Sequence, residues 1–254
     1  LEVEFGAEDF GIGRERDAGA ATVRGRSEML DRAERLPLGE ALAVELAIAR
    51  DLMLAEDTGA RLHIRQVTTA AGFDLIRAAK RRGVAVTCGI TPAHLHLSEI
   101  AVSDFRSFAL LSPPLRAESD RRAALEAIAD GTIDVLCSGH EPRGPEEKRL
   151  PFTDATSGMA GAETLLPLAL MLVRDEHLTL QRLFALLARN PARVLGLDTG
   201  TLEAGKPADL MLFDADKPWM VSGDAFASAG NTPFDGFPVQ GRALRLWKAG
   251  REIA

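Results

Sequence analysis

Residues 133–164 read IDVLCSGHEPRGPEEKRLPFTDATSGMAGAET, and the composition changes sharply within them. Ile133, Val135 and Leu136 form a short apolar run, whereas Gly139 to Gly161 is punctuated by glycine and proline. The first pattern is that of a buried strand and the second that of a loop. The segment therefore predicts a strand that empties into a long loop ahead of a helix. In an α/β scaffold the loop at the carboxyl end of a strand is where chemistry is placed, because the strand below it is fixed and the loop is free to vary. This loop is the first place to look for a site.

Working outward, helical and strand patterns alternate. Leu38–Thr58 predicts a helix with Leu42, Leu46, Ala49, Leu52 and Met53 on one face and Gly59 as its stop. Arg61–Val67 alternates as a strand, and Ala70–Arg82 predicts a helix built on Phe73, Ile76 and Ala79 and closed by Gly83. Val84–Cys88 and Phe108–Ser112 predict further strands, with a helix over Glu118–Asp130. Beyond the long loop, helices are expected over Ala162–Arg174, with Pro167 near its start, and over Leu180–Arg189, with Thr179 as cap. Asp209–Phe213, Trp219–Val221 and Arg242–Trp247 supply the last strands. At the other end, Leu1–Phe5 reads as a short strand, and the charged stretch 11–36 reads as a mobile loop.

With 254 residues, 46% of them hydrophobic, the chain is long enough to bury a full core. A net charge of -7 leaves no basic footprint for nucleic acid and no attraction to anionic lipid. Cys88 and Cys137 each sit in an apolar run without CxxC spacing, which predicts buried free thiols in a reducing compartment. The sequence contains neither a membrane-length apolar run nor a signal-peptide pattern, so the cytoplasm is the expected location.

The wording of the long loop resembles that of the dihydroorotases of the amidohydrolase superfamily, in the form related to multifunctional pyrimidine-synthesis complexes. Ser138, His140, Pro142, Glu146, Glu147, Lys148, Pro151, Phe152, Gly158, Gly161, Glu163 and Thr164 keep that family's order and spacing. Thr91-Pro92-Ala93-His94-Leu95 and Ser112-Pro113-Pro114-Leu115-Arg116 are similar to its Thr-Pro-His-His-Leu and Asn-Pro-Pro-Leu-Arg segments. GTLEAGKPADLMLFD from Gly200, and Asn231-Thr232-Pro233-Phe234-Asp235-Gly236, look like the superfamily's passage from barrel to sandwich. The resemblance implies the C-terminal part of a (β/α)8 TIM-type barrel over residues 1–195 and strands of a small β-sandwich over 196–254.

It also implies a chemistry: hydrolysis of a cyclic amide at a pair of zinc ions, with an Asp as ligand and proton shuttle. Here the ligand positions hold other residues. Gly6 stands where the family has the His of His-x-Glu-Asp, with Glu8 and Asp9 kept; Gln66 stands for a second His, and Gly139 for the catalytic Asp. Glycine supplies no donor, and a neutral amide is a poor zinc ligand beside imidazole or carboxylate. Glu141 replaces that Asp only if the register slips, and His140 and Pro142 fix it. Ser112, Arg143 and Gly158 fall on the family's substrate-binding positions.

His94 and His96 spell His-x-His, which on a strand would project both rings to one face and clamp a metal. Their setting in the Thr-Pro segment favours structural or loop histidines instead. His63 lies three residues before Gln66, on the opposite side of a period-2 strand.

The expectation is therefore a dihydroorotase-like protein of pyrimidine biosynthesis that is degenerate at its site and binds no zinc. It would act as a structural partner of aspartate carbamoyltransferase or of an active dihydroorotase. A working dihydroorotase or related cyclic-amide hydrolase with an altered site is the alternative reading. A complete member of the family carries its first four barrel strands ahead of the position of Leu1. Either the polypeptide extends upstream, as in a partial record of a longer dihydroorotase, or the chain forms a homo-oligomer or joins a partner that closes the barrel.

Overall fold

Thr69 ends one β-strand connection and begins a helix. Its side-chain oxygen accepts from the Gly72 amide at 3.1 Å, and Asp120 accepts from the Ala70 amide at 2.8 Å, so two amides of the first turn are satisfied. Lys80, Arg81 and Arg82 face the negative end of the helix dipole, and Gly83 closes it in the left-handed conformation at φ 88°. The sequence-predicted span Ala70–Arg82 is the observed one. In this computed structural model residues 40–253 are described. The expected strand Leu1–Phe5, the 11–36 stretch, Gly6, Glu8 and Asp9 lie outside them.

In order, the described residues form α1 (Glu40–Thr58), β1 (Leu62–Ile64), α2 (Ala70–Arg82), β2 (Val86–Ile90), α3 (Pro92–His96), α4 (Glu118–Ala129) and β3 (Val135–Leu136). The long loop follows, holding the single turn α5 (Pro145–Lys148). After it come α6 (Leu165–Arg174), α7 (Leu180–Phe184), α8 (Asn190–Val194), β4 (Leu210–Met220), β5 (Pro238–Lys248) and β6 (Arg251–Glu252).

β1, β2 and β3 pair in parallel in that order, with Ile64 opposite Cys88 and Ile90 opposite Leu136. Helices cover them, and Ile48, Phe73, Ile76, Ile90, Ile128, Ile133, Leu172 and Leu186 fill the main core. Burial of such side chains, at roughly 1.5–3 kcal/mol each, is the main force holding the layers together. At the amino end of β3 a polar network stitches the layers. Asp134 Oδ2 accepts from Lys80 Nζ at 2.7 Å and from the Cys88 amide at 2.9 Å, Lys80 also donates to Thr132 O, and Asn190 Nδ2 and Arg182 Nη2 donate to the carbonyls of Asp134 and Ile133.

β4, β5 and β6 form a separate antiparallel sheet, bulged between Leu212 and Phe213 and between Asp214 and Pro218. It docks on α6 and α7: Phe213 packs on Phe184 with ring centroids 5.2 Å apart, and a Cβ at Gly241 would lie 2.3 Å from Leu170 Cδ1. Only glycine, at φ 109°, permits that approach.

Several expectations are corrected. Residues 108–112 are not a strand; a 3-10 turn spans Ser107–Ala109, because the Ser107 and Leu110 carbonyls are taken by Lys148 Nζ and the Gly158 amide rather than by a ladder. Of the face expected on α1, Leu52 is buried, together with Ile48 and Ala55, while Leu42, Leu46 and Met53 are 41%, 53% and 70% exposed, since the helix is apolar around more than one face and the core takes the side centred on Leu52. The expected helix Leu180–Arg189 ends as an α-helix at Phe184 and widens to a π turn over Ala185–Arg189. Pro191 has no amide to continue the regular pattern, and the Asn190 amide reaches back five residues to Ala185 O. Asp209–Phe213 and Trp219–Val221 join into one bulged strand, and the first of the two helices after the loop starts at Leu165 rather than Ala162.

Candidate functional site

Gln66 follows β1, Thr91 follows β2, and Ser138 and Gly139 follow β3, so the three parallel strands bring these residues to one rim. Gly139 has φ 59°, and a Cβ built on it would lie 2.7 Å from Thr91 Cγ2 and 3.4 Å from Met159 Cε. This backbone is shaped to glycine. A side chain there meets both the left-handed penalty and the Thr91 methyl, so Gly139→Asp is expected to cost about 1–3 kcal/mol. Gly139→Ala should lose a similar amount in urea unfolding. A Gly139→Asp variant as stable as the parent would show the backbone to be indifferent to this residue.

On the same rim Gln66 lies against Cys137, with its Oε1 buried and unpartnered. Burial pushes the neighbouring Cys137 thiol up, and Gln66 pulls it the other way. The Cys137 sulfur lies 3.5 Å from Ile90 O.

The structure places His94 and His96 on the helical turn α3, where residues two apart point away from each other and cannot grip one ion. His94 is 6% exposed, with Nδ1 2.7 Å from Thr91 Oγ1 and Nε2 2.9 Å from Pro113 O. A carbonyl can only accept, so Nε2 carries the proton and Nδ1 accepts from the Thr91 hydroxyl. Both nitrogens are thereby used. Burial lowers the ring's pKa to about 4; the hydrogen bond to Pro113 opposes this and the charge on Arg116 adds to it. His96 Nε2 donates to Leu168 O at 2.8 Å, and burial lowers its pKa too. His63 Nδ1 bonds to Thr87 Oγ1 on the adjacent strand at 2.8 Å.

Arg143 and Gly158 come together within the long loop. Arg143 Nη2 pairs with the Glu141 carboxylate, and its Nε donates to Ser157 O at 2.9 Å. The guanidinium is thus engaged inside the loop. The Gly158 amide donates to Leu110 O at 3.0 Å, and exposed Ser112 lies two residues further on. His140 is exposed, with Nδ1 accepting from the Ala162 amide at 3.2 Å. Arg116 Nε donates to Thr68 Oγ1 at 3.2 Å.

Zinc hydrolysis needs a converging set of imidazole and carboxylate donors. Among the described residues no group of three or more His, Cys, Asp or Glu converges, and Gly139 and Gln66 contribute neither donor type. These residues do not fit a zinc pair. Gly6, the third substituted position, lies outside the described residues.

Sequence reasoning did not find the roles of Lys148 and Asn231. In the sequence Lys148 is only one letter of the long-loop motif. Its side chain is 1% exposed, and its ammonium donates to Ser107 O at 2.9 Å and Leu110 O at 3.2 Å. Burial lowers its pKa to about 8, with Arg143 adding to the effect and Glu141 and Glu147 opposing it.

Comparison with known proteins gives a consistent picture. The profile of the amidohydrolase family matches residues 51–253. The dihydroorotase of Desulforapulum autotrophicum is 43% identical over 199 residues, which are 78% of this chain and 46% of that protein. The dihydroorotase of Geobacter metallireducens is 44% identical over 199 residues, 78% of this chain and 47% of that protein. The chain thus spans about half the length of the curated relatives it matches. Among solved structures, L-hydantoinase (dihydropyrimidinase) from Arthrobacter aurescens superposes with a TM-score of 0.79 at 28% identity, covering 90% of this chain and 54% of that one. The inactive dihydroorotase-like domain of a Chaetomium thermophilum CAD-like multifunctional protein shares the fold, with a TM-score of 0.62 at 24% identity over 81% of this chain and 54% of that one.

Proposed function

The chain belongs to the amidohydrolase family, its parallel strands are part of a TIM-type barrel, and from that premise we propose that it is a dihydroorotase-like protein without turnover of its own, acting as a structural partner. The observation that carries this reading is the backbone at Gly139, left-handed and closed against Thr91, where a proton-shuttling carboxylate would have to stand. The pairing of Arg143 with Glu141 within the loop and the use of both His94 nitrogens point the same way.

A second observation favours the partner role. Leu42, Leu46 and Met53, spaced by four and seven residues, form one exposed apolar stripe on α1, the helix that leads into β1. β1 is in turn an end strand of the parallel sheet among the described residues. Stripe and strand make a surface suited to another barrel segment, whether from an active dihydroorotase, from a second copy or from a complex with aspartate carbamoyltransferase. Residues 1–195 then form the barrel portion and 196–254 the sandwich strands, a division supported by the change from parallel to antiparallel pairing. No helix of the described residues is long and apolar enough to cross a membrane. With the free thiols of Cys88 and Cys137, this supports a cytoplasmic location.

The test is an assay of the purified chain in both directions, dihydroorotate hydrolysis and carbamoyl aspartate cyclisation, alongside elemental analysis. We expect no turnover above background, no stoichiometric zinc and no rescue by Gly139→Asp. Dihydroorotate consumption that follows the protein through purification would establish the alternative, a working cyclic-amide hydrolase with an altered site. Zinc at about one or two per chain, lost on substituting His94 or His96, would restore the His-x-His metal reading.

A further inference from the structure

The Asn231–Gly236 motif has no part in the proposed function, although Asn231 and Thr232 are among the most buried polar residues of the chain. Asn231 reaches the long loop at three points. Its Oδ1 accepts from the Arg143 amide at 2.9 Å, its Nδ2 donates to Gly158 O at 3.0 Å, and its own carbonyl accepts from the Ala160 amide at 2.9 Å. Arg143 and Gly158 lie near opposite ends of the loop, so one side chain ties its outgoing and returning limbs together. Phe234 adds an apolar contact layer with Met159, Ala109, Leu111 and Leu168. Further along, the Ala227 amide donates to Glu163 Oε1 at 2.7 Å, where the loop passes into α6.

Asn231 is itself held from behind. The Thr232 amide bonds to Gly230 O, the Phe234 amide to Thr232 Oγ1, the Gly223 amide to Asp235 Oδ1, and the Val221 amide to Phe237 O. The turn is therefore a folded part of the segment joining β4 to β5. An amide side chain is the group this geometry requires, since it must accept from an N–H on one side and donate to a carbonyl on the other. The bond to Gly158 O is buried and the one from the Arg143 amide half-buried, and leaving a buried partner unmade costs more than the bond gains.

We propose that Asn231 is the positioning residue of the loop after β3, and that the turn between β4 and β5 is the bracket that sets the loop's shape over the rim of the parallel sheet. This goes beyond the proposed function and holds whether or not the chain turns over a substrate.

Amide hydrogen exchange, resolved by residue on the full chain, tests the assignment. In Asn231→Ala, exchange at Arg143 and Ala160 should accelerate at least tenfold, while Phe73 and Gly83 of the α2 region keep their rates. In Asn231→Asp, which retains the side-chain acceptor and the main-chain carbonyl but not the donor to Gly158 O, Arg143 should stay protected and Ala160, two residues beyond the released Gly158 carbonyl, should accelerate less than in Asn231→Ala. Unchanged rates at Arg143 and Ala160 would overturn the proposal, as would an equal acceleration in α2. If neither variant folds, exchange of the parent chain against urea decides. Arg143 and Ala160 should then open with the same urea dependence as Val221 and Gly236, and an independent, earlier opening would overturn the bracket. The readout requires no activity, so it cannot be confused with failure of the functional reading.

Discussion

Acidification from pH 6.5 to about pH 4 is expected to remove about 3 kcal/mol of folding stability through His94 alone. In the folded chain this ring is neutral, buried and bonded at both nitrogens, and its pKa lies at about 4 instead of the usual 6.5. The unfolded chain takes up the proton near 6.5, so between the two values protons bind the unfolded state preferentially. Stability from this group is complete above 6.5 and is lost as the pH falls through the folded value. Urea unfolding of the parent and of His94→Gln across this range measures the effect. The variant should be weaker at neutral pH, because the ring's hydrogen bonds to Thr91 and Pro113 are disturbed, and should show a shallower decline on acidification. Parallel declines in the two proteins would show that His94 is not held neutral.

Replacing Lys148 by alanine should cost about 3–4 kcal/mol, since a buried four-carbon stem leaves a void and the half-buried carbonyls of Ser107 and Leu110 each lose their ammonium donor, keeping only one backbone amide. Lys148→Met keeps most of the volume and should cost about 2 kcal/mol. The pH dependence distinguishes this residue from a surface lysine. Its pKa is lowered from 10.5 to about 8, so the folded state gives up the proton first and the burden of an enclosed charge is present at lower pH. Stability relative to Lys148→Met should therefore rise as pH climbs from about 8 towards 10.5. A Lys148→Ala variant within about 1 kcal/mol of the parent would mean the ammonium does not hold the loop to the Ser107–Leu110 segment.

A feature of this fold is legible in the amino-acid sequence where its deciding signal is local. Ala70–Arg82 was read with its bounds intact because its cap, its apolar stripe and its terminal glycine all lie within the helix or next to it. In α1 the helix is legible and its inner face only in part: Leu52 is read correctly, but Leu42, Leu46 and Met53 form as good a stripe as Ile48, Leu52 and Ala55. Only the neighbouring layers choose between them. The strand expected over 108–112 failed for a related reason: strand-like composition does not provide a ladder, and its carbonyls had distant partners.

At the site, the substitutions at Gln66 and Gly139 were visible as letters, and the closure of the Gly139 backbone against Thr91 was not. His94 and His96 point apart because the segment is a helical turn, which a two-residue spacing cannot reveal. Lys148 and Asn231 escaped because their partners are backbone groups tens of residues away, and backbone groups leave no trace in composition.

The network around Asp134 sits at the amino end of β3, opposite the rim that carries Gln66, Thr91 and Gly139. Its members are Lys80, Cys88, Thr132, Ile133, Arg182 and Asn190, and none belongs to the long loop. Foundation and mouth are mechanically separate, so residues at the mouth can be exchanged without loosening the joint between sheet and helices. The same independence makes the chain a substrate for redesign. A new set of donors could be installed at the rim one side chain at a time, and the first obstacle would be the local path of the chain at Gly139 rather than the stability of the whole.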